Sequence, residues 1–314
     1  MADDLLLPGV SVVVPVYRGA RTLRELYERV SAVFAEVGPP FEIVLVDDGS
    51  PDESWGVISE LAASHKAVRG LRLGRNYGQH AALLAGLRAA RFSTTITVDD
   101  DLQNPPEEIP TLLAALGEGV DVVYGVPTVV RQDLSRRLAG RLARWSIRAS
   151  GVEHAPSVSS FRAFRTDLRH SFDVPIGPAV DIDSLLAWGT TRFSSVKVAH
   201  AERKVGVSNY TFRRLLTHAF DFLTGYSTLP LRIATFLGIA TSGLGVILLG
   251  WVLGHVLFAG DSVSGFPFLA STIIIFSGVQ LVMLGLIGEY IGRIHFRIMG
   301  KPSYAILSSI DEAE

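Results

Sequence analysis

The chain has 314 residues, with 29 Lys and Arg against 31 Asp and Glu and a formal net charge of -2. That balance, with a pI near 6.5, gives no electrostatic case for a nucleic acid partner. The absence of cysteine excludes disulfides, thiolate zinc sites and cysteine nucleophiles, so any metal must take oxygen or nitrogen ligands. Hydrophobic content of 48% and a mean hydropathy of +0.33 are high for a soluble chain, and the excess sits near the C-terminus.

The apolar stretch Leu5 to Val16 follows Asp3 and Asp4, where a secretory signal carries positive charge. It is also too short to cross a bilayer. It is expected to form a first buried strand over Val10 to Val16, in a domain that stays in the cytosol. Thr22 to Val37 has helical periodicity, with Leu23, Leu26, Val30, Val33 and Phe34 on one face. Phe41 to Val46 predicts a second strand, ending in Asp47-Asp48-Gly49-Ser50, and Glu53 to Ser64 a helix. Val68 to Leu73, Thr94 to Val98 and Asp121 to Tyr124 predict further strands, with a helix over Gly78 to Ala90. Strands alternating with helices predict an α/β fold with a doubly wound, mostly parallel sheet.

Residues 134–149 predict a basic amphipathic helix. Leu134, Leu138, Leu142 and Trp145 share a face, five arginines decorate the rest, and no acid intervenes. Such a helix suits a membrane surface, although a solvated face of an ordinary surface helix has the same pattern. Tyr210 to Tyr226 mixes aromatic and aliphatic residues with Arg213 and Arg214, as an interfacial helix does. Two nearly uncharged runs follow, at about 233–258 and 268–290. Each reaches the roughly 20 residues that a spanning helix needs. Arg213, Arg214 and Arg232 lie before them and Arg293, Arg297 and Lys301 after, while 259–267 carries Asp261 and no Lys or Arg. The positive-inside rule then places both flanks in the cytoplasm. A buried soluble hairpin is the alternative. The expected organisation is a catalytic domain over 1–209, an interfacial helix and linker over 210–231, two transmembrane helices within 232–292, and a cytoplasmic tail over 293–314.

Four loops fall at the C-terminal ends of predicted strands, where ligands bind in open α/β sheets. They contain Pro15 and Tyr17; Asp47 and Asp48; Arg75, Asn76 and Gly78; and Asp99, Asp100, Asp101 and Gln103. Three successive carboxylates repel one another unless a cation offsets them. Asp101 and Gln103 offer hard oxygen ligands for Mg²⁺ or Mn²⁺. Carboxylates, an aromatic ring and an arginine at one sheet edge suit a nucleotide diphosphate with its metal.

The segments VVVPVY, VLVDDGSPD, LGRNYGQHAALLAGL, TVDDDLQNPPEE and DVVYG resemble the GT-A domain of family 2 glycosyltransferases. The later segments HAERKVGVSNYTFRRLL, STLPLR and LGLIGEYIGRI resemble the polyprenyl-phosphate glycosyltransferases within it. That group includes dolichyl-phosphate mannose synthase and bacterial undecaprenyl-phosphate sugar transferases, and the resemblance covers nearly the whole chain. It implies transfer of a sugar from a nucleotide diphosphate sugar to a polyprenyl phosphate at a bacterial-type inner membrane, by a homo-oligomer, commonly a tetramer. It implies that Asp101 and Gln103 hold the metal and that Asp99 faces the donor. It further implies that Asp47 and Asp48 contact the base and that Arg203, after His200, contacts phosphate. Pro15, Tyr17, Arg75 and Asp100 complete the expected donor site, and Asp99, Asp101 and Arg203 the expected catalytic set.

The chain departs from the family pattern in four places. Arg18-Gly19-Ala20 replaces Asn-Glu-Glu, and Pro127-Thr128 stands where an Arg is common. Pro156 and Ser157 to Ser160 replace a stretch with an Asp, and Asn209 replaces a Lys between Ser208 and Tyr210. Arg131, Arg162, Arg203, Ser208 and Asn209 are the residues expected to hold the acceptor phosphate. Two alternatives are a processive polysaccharide synthase, suggested by Arg141-Leu142-Ala143-Arg144-Trp145, and an inactive membrane scaffold of the same fold.

Overall fold

The computed structural model describes residues 6–128, 158–172, 180–201, 228–258 and 265–311. Strand β1 (Leu7–Val16) is buried on both faces, with Val12, Val13, Val14 and Val16 fully enclosed. Its continuous β-branched run is the signature of a central strand covered on both sides. β1 pairs in parallel with β2 (Phe41–Asp47) on one flank and β4 (Phe92–Thr97) on the other. β2 pairs in parallel with β3 (Val68–Leu73).

The helices lie where the apolar spacing directs them. α1 (Leu23–Val37) buries Leu23, Leu26, Val30, Val33 and Phe34, and ends where Gly38 takes a left-handed φ of 87°. The Gly38 N–H caps the Phe34 carbonyl at 3.0 Å. α1, α2 (Ser54–Ser64) and α4 (Ile109–Ala115) pack into the core on one face of the sheet. α3 (Gln79–Ala89) and α5 (Ile182–Gly189) pack into the core on the other. α3 lies so close to the sheet that a Cβ on Gly86 would stand 2.4 Å from Val13 Cγ1.

The sheet has eight strands in the order β7-β5-β6-β4-β1-β2-β3-β8. Here β5 is Val122–Pro127, β6 is Arg162–Arg165, β7 is Phe193–Val198 and β8 is Ile306–Ile310. β6, β7, β8 and α5 do not stand out in the sequence. β6 has four residues, two of them arginine, and runs antiparallel between β4 and β5. A central strand tolerates Arg162 because Asp183 neutralises it from α5.

α6 (Leu229–Phe258) and α7 (Gly265–Ile298) are long and apolar enough to cross a membrane. They pack on one another, with Gly245 facing the Phe276 ring. Their remaining surfaces are open: Phe236, Val246, Leu281 and Val282 are each about 70% exposed, as lipid-facing residues are in an isolated hairpin. The ion pair Glu289–Arg293, at 2.8 Å and four residues apart, accounts for the one acid near the end of α7. The basic helix expected at 134–149 and the interfacial helix expected at 210–226 lie outside the described residues.

The C-terminal segment departs from expectation. Instead of forming a separate tail, Ile306–Ile310 adds to the sheet edge antiparallel to β3. Arg69 on β3 locks it in place. Its guanidinium donates to Asp311 at 2.8 Å, to Glu42 at 3.0 Å and to the Ala89 carbonyl at 2.7 Å. Glu42 is itself buried and accepts from Ser11 Oγ and the Arg91 N–H, each at 2.7 Å. Arg69→Ala leaves that carboxylate enclosed without its cation, so it is expected to destabilise the domain by about 3–5 kcal/mol. Denaturant unfolding measures this. A loss below about 1 kcal/mol, the range of an exposed pair, would show that the network is dispensable.

Candidate active site

The four predicted loops converge. Pro15 and Tyr17 from β1, Asp48 from β2, Asn76, Gly78 and Gln79 from the β3–α3 connection, and Asp99, Asp100 and Asp101 from β4 line one cavity of about 340 Å³. That volume lies in the range of small-molecule sites. The cavity sits at the C-terminal edge of the parallel strands, as the alternating pattern requires.

Three of the four acids at this rim are tied to a neighbouring loop, and the fourth, Asp101, to its own turn. Asp48 accepts from the backbone N–H groups of Tyr77 at 2.7 Å and Gly78 at 2.8 Å, joining β2 to the start of α3. The joint is tight: Gly49 has φ 64°, and a Cβ there would meet the Arg75 carbonyl carbon at 2.5 Å. Asp99 accepts from Gln79 Nε2 at 2.6 Å and from Ser160 Oγ at 2.5 Å. Asp100 accepts from the Tyr17 N–H at 3.3 Å. Asp101 accepts from the Gln103 N–H at 3.1 Å, which folds the Asp101–Gln103 turn back on itself. Leu102, between them, has a left-handed φ of 59°.

These donors only partly offset the burial of the carboxylates. Burial raises the Asp48 carboxyl above its ordinary range, against the two N–H groups, and Asp47 adds to the rise. Burial likewise raises Asp99, with Ser160 opposing and the Asp101 charge adding. Asp100 is pushed up to about 7 by burial first, with the Tyr17 N–H opposing and Asp101 and Asp99 repelling. The three shifts share a leading cause, burial that disfavours the charged carboxylates, with repulsion between neighbouring acids adding to it; a bound cation would favour the charged forms. Among the described residues, no three His, Asp or Glu converge as a complete metal cage. A hard cation that takes one or two protein oxygens and completes its shell from substrate phosphates matches this donor set. Asp101 lines the cavity, and Gln103 follows on the same turn.

Two expected site residues have other tasks. Asp47 is fully buried, and its carboxylate accepts from the Ser50 N–H at 3.0 Å and faces Arg72 at 3.4 Å. It shapes the turn and is closed to a base. Arg162, expected to hold acceptor phosphate, is 1% exposed. It is ion-paired to Asp183, and its Nε donates to Thr97 Oγ1 at 3.1 Å. The Tyr124 hydroxyl donates to the same Asp183 at 2.9 Å. An enclosed, paired cation cannot turn to a ligand without leaving a buried charge behind. Arg162 therefore supports the sheet beneath the site.

Arg75 does not line the cavity; its guanidinium stacks on Tyr77 at 4.7 Å. His80 accepts from the Ile182 N–H at 3.2 Å and so joins α3 to α5. His200 meets Asn104 Oδ1 at 3.4 Å, and the Ala201 N–H donates to the Gln103 carbonyl at 2.9 Å. The chain therefore passes 201 hydrogen-bonded to the Asp101–Gln103 turn, while Arg203, Arg131, Ser208 and Asn209 lie outside the described residues. Gln79 and Ser160, which hold Asp99, were not anticipated. A polar residue directly after Gly78 at a strand's C-terminal end is the only sequence signal for Gln79, and none marks Ser160.

Comparison with known proteins agrees with this architecture. The family model for glycosyl transferase family 2 matches residues 11–173. The undecaprenyl-phosphate 4-deoxy-4-formamido-L-arabinose transferase of Pectobacterium carotovorum subsp. carotovorum (strain PC1) is 38% identical over 317 residues, covering 100% of this chain and 96% of the relative. The protein of the same name from Pseudomonas aeruginosa (strain LESB58) is 39% identical over 302 residues, covering 95% of this chain and 89% of the relative. Among solved structures, glucosyl-3-phosphoglycerate synthase from Mycobacterium tuberculosis, in complex with Mn²⁺, uridine diphosphate and phosphoglyceric acid, aligns with a TM-score of 0.53 at 18% identity. That alignment covers 69% of this chain and 77% of the other, and it supports the fold. With a matching family model over half its length and close relatives over nearly all of it, the chain belongs to glycosyl transferase family 2.

Proposed function

We propose that this chain transfers a sugar from a nucleotide diphosphate sugar to undecaprenyl phosphate, at a bacterial inner membrane and with its catalytic domain in the cytosol. The carrying observation is the convergence of four strand-end loops on one acid-rimmed cavity, in a glycosyl transferase family 2 domain followed by two apolar helices. The names of the relatives supply the acceptor, and 4-deoxy-4-formamido-L-arabinose is the first sugar to test. Seven residues separate α7 from β8, an extended reach of at most about 25 Å. That short tether favours the C-terminal end of α7 on the same side of the membrane as the catalytic sheet.

The chemistry needs little from a general base. The acceptor is a phosphate monoester with a second pKa of about 6, so it reaches the site as an anion at pH 7. One of its oxygens attacks the anomeric carbon while the bond from that carbon to the diphosphate breaks. The bonding pair leaves with the nucleoside diphosphate, and the configuration inverts. A divalent metal on Asp101 and Gln103, Mg²⁺ or Mn²⁺, supplies charge neutralisation for the leaving diphosphate. Asp99, with one oxygen on Gln79 and the other on Ser160, presents a fixed carboxylate to the donor. Pro15, Tyr17, Asp48 and Asp100 shape the nucleotide end. Arg203 follows the hydrogen-bonded Ala201 by two residues in the sequence and is the candidate to meet the acceptor phosphate, with Arg131, Ser208 and Asn209 as further candidates.

The test is nucleoside diphosphate release from UDP-, GDP- and dTDP-linked sugars by the folded full chain, with Mg²⁺ or Mn²⁺, in the presence and absence of undecaprenyl phosphate. Release that requires the lipid phosphate is expected, with Asp101→Ala inactive. No release with any donor favours the inactive scaffold. Arg203→Ala is expected to raise the KM for undecaprenyl phosphate at least about tenfold, the worth of one charge-assisted hydrogen bond, with donor affinity unchanged. Equal losses in both would contradict that assignment.

A further inference from the structure

Asp100 is the middle acid of the run and the one to which the metal and donor assignments give least to do. Its carboxylate turns back under the first loop, where Oδ2 accepts from the Tyr17 N–H at 3.3 Å. Two residues on, a Cβ built on Gly19 would stand 2.4 Å from that same oxygen, 3.2 Å from Asp100 Cγ and 3.1 Å from Val16 Cγ1. Gly19 is not among the residues with positive φ. What matters at position 19 is therefore space and not backbone freedom, and the carboxylate of Asp100 occupies that space.

The rest of the loop is fastened elsewhere. The Arg18 N–H donates to Ser50 Oγ at 3.1 Å and the Gly19 N–H to Ser54 Oγ at 3.0 Å. Arg18 itself sits at a left-handed φ of 59°. Asp100 thus adds the tie to β4, on a loop whose Tyr17 lines the cavity and is 45% exposed.

We infer that Asp100 is a positioning residue for the nucleotide: its carboxylate fills the volume left by Gly19 and fixes the Tyr17 backbone, coupling the first loop to the Asp99–Gln103 loop. The inference rests on the donor site proposed above. It explains why a glycine at 19 and an acid at 100 occur together: a larger residue at 19 needs the carboxylate gone.

The test uses the folded full chain in detergent with UDP, and GDP in parallel, as probes in the presence of Mn²⁺. Asp100→Ala is expected to weaken nucleotide binding about tenfold, the effect of losing one hydrogen bond to a charged group. Asp100→Asn keeps an oxygen acceptor for the Tyr17 N–H and is expected to recover most of that loss. Gly19→Ala alone should weaken binding as strongly, yet cost less than about twofold when added to Asp100→Ala, because residues in contact do not act additively. Additive losses, Asp100→Asn as weak as Asp100→Ala, unchanged affinity in Asp100→Ala, or no binding of either nucleotide to the wild type would each overturn the inference. Thermal melting of the same proteins without ligand reads the contact itself, and additive shifts there would also overturn it. Failure of transfer in a wild type that binds nucleotide would instead strike the proposed reaction and leave the coupling standing.

Discussion

Crowded negative charge at the end of β4 is the constraint on which the site depends. Asp99, Asp100 and Asp101 occupy consecutive positions beside Asp48, at the edge where four loops meet. Asp48, Asp99 and Asp100 are each held by neutral donors from a different loop, and all three stay above their ordinary pKa range, with burial the leading cause. The hydrogen bonds fix the carboxylates in place without offsetting their burial. Such a rim is built before ligand arrives, and a bound cation would favour the charged form of its carboxylates. Preorganisation of this kind places the cost of assembling like charges in folding, so that binding relieves it.

The fold beneath the site serves that arrangement. Gly86 lets α3 lie against Val13, which brings Gly78 and Gln79 to the rim. The buried Arg162–Asp183–Tyr124 group supports β6 in the middle of the sheet, and Ser160 at the head of β6 holds Asp99. At the opposite edge, β8 returns the end of the chain to the sheet after two apolar helices. The segment that follows the two apolar helices is therefore fastened to the sheet through the Arg69 network.

Much of this was legible in the sequence. β1, α1, β2, β3 and β4 follow from apolar runs and a 3.6-residue spacing, because burial against one sheet dictates both. The convergence of the four loops follows from alternation of strands and helices alone. What escaped has physical reasons. β6 and β8 are four and five residues long and carry polar residues, so no apolar run announces them. Arg162 looked like a ligand for phosphate because its partner, Asp183, lies 21 residues away on another element. Asp47 looked like an outward acid because a strand-end carboxylate and a turn-capping carboxylate read alike until the turn closes. Gln79 and Ser160 support Asp99 from separate segments, and such contacts have no local pattern.

If Asp101 and Gln103 hold a divalent metal, they leave most of its coordination shell to substrate, so the acid rim would take a metal only together with a nucleotide diphosphate. Titration of Mn²⁺ into the folded chain, with and without saturating UDP or GDP, measures this directly. By linkage, Mn²⁺ affinity is expected to be at least about tenfold higher when nucleotide is bound, and nucleotide affinity to rise by the same factor when Mn²⁺ is bound. Equal Mn²⁺ affinity with and without nucleotide would contradict it.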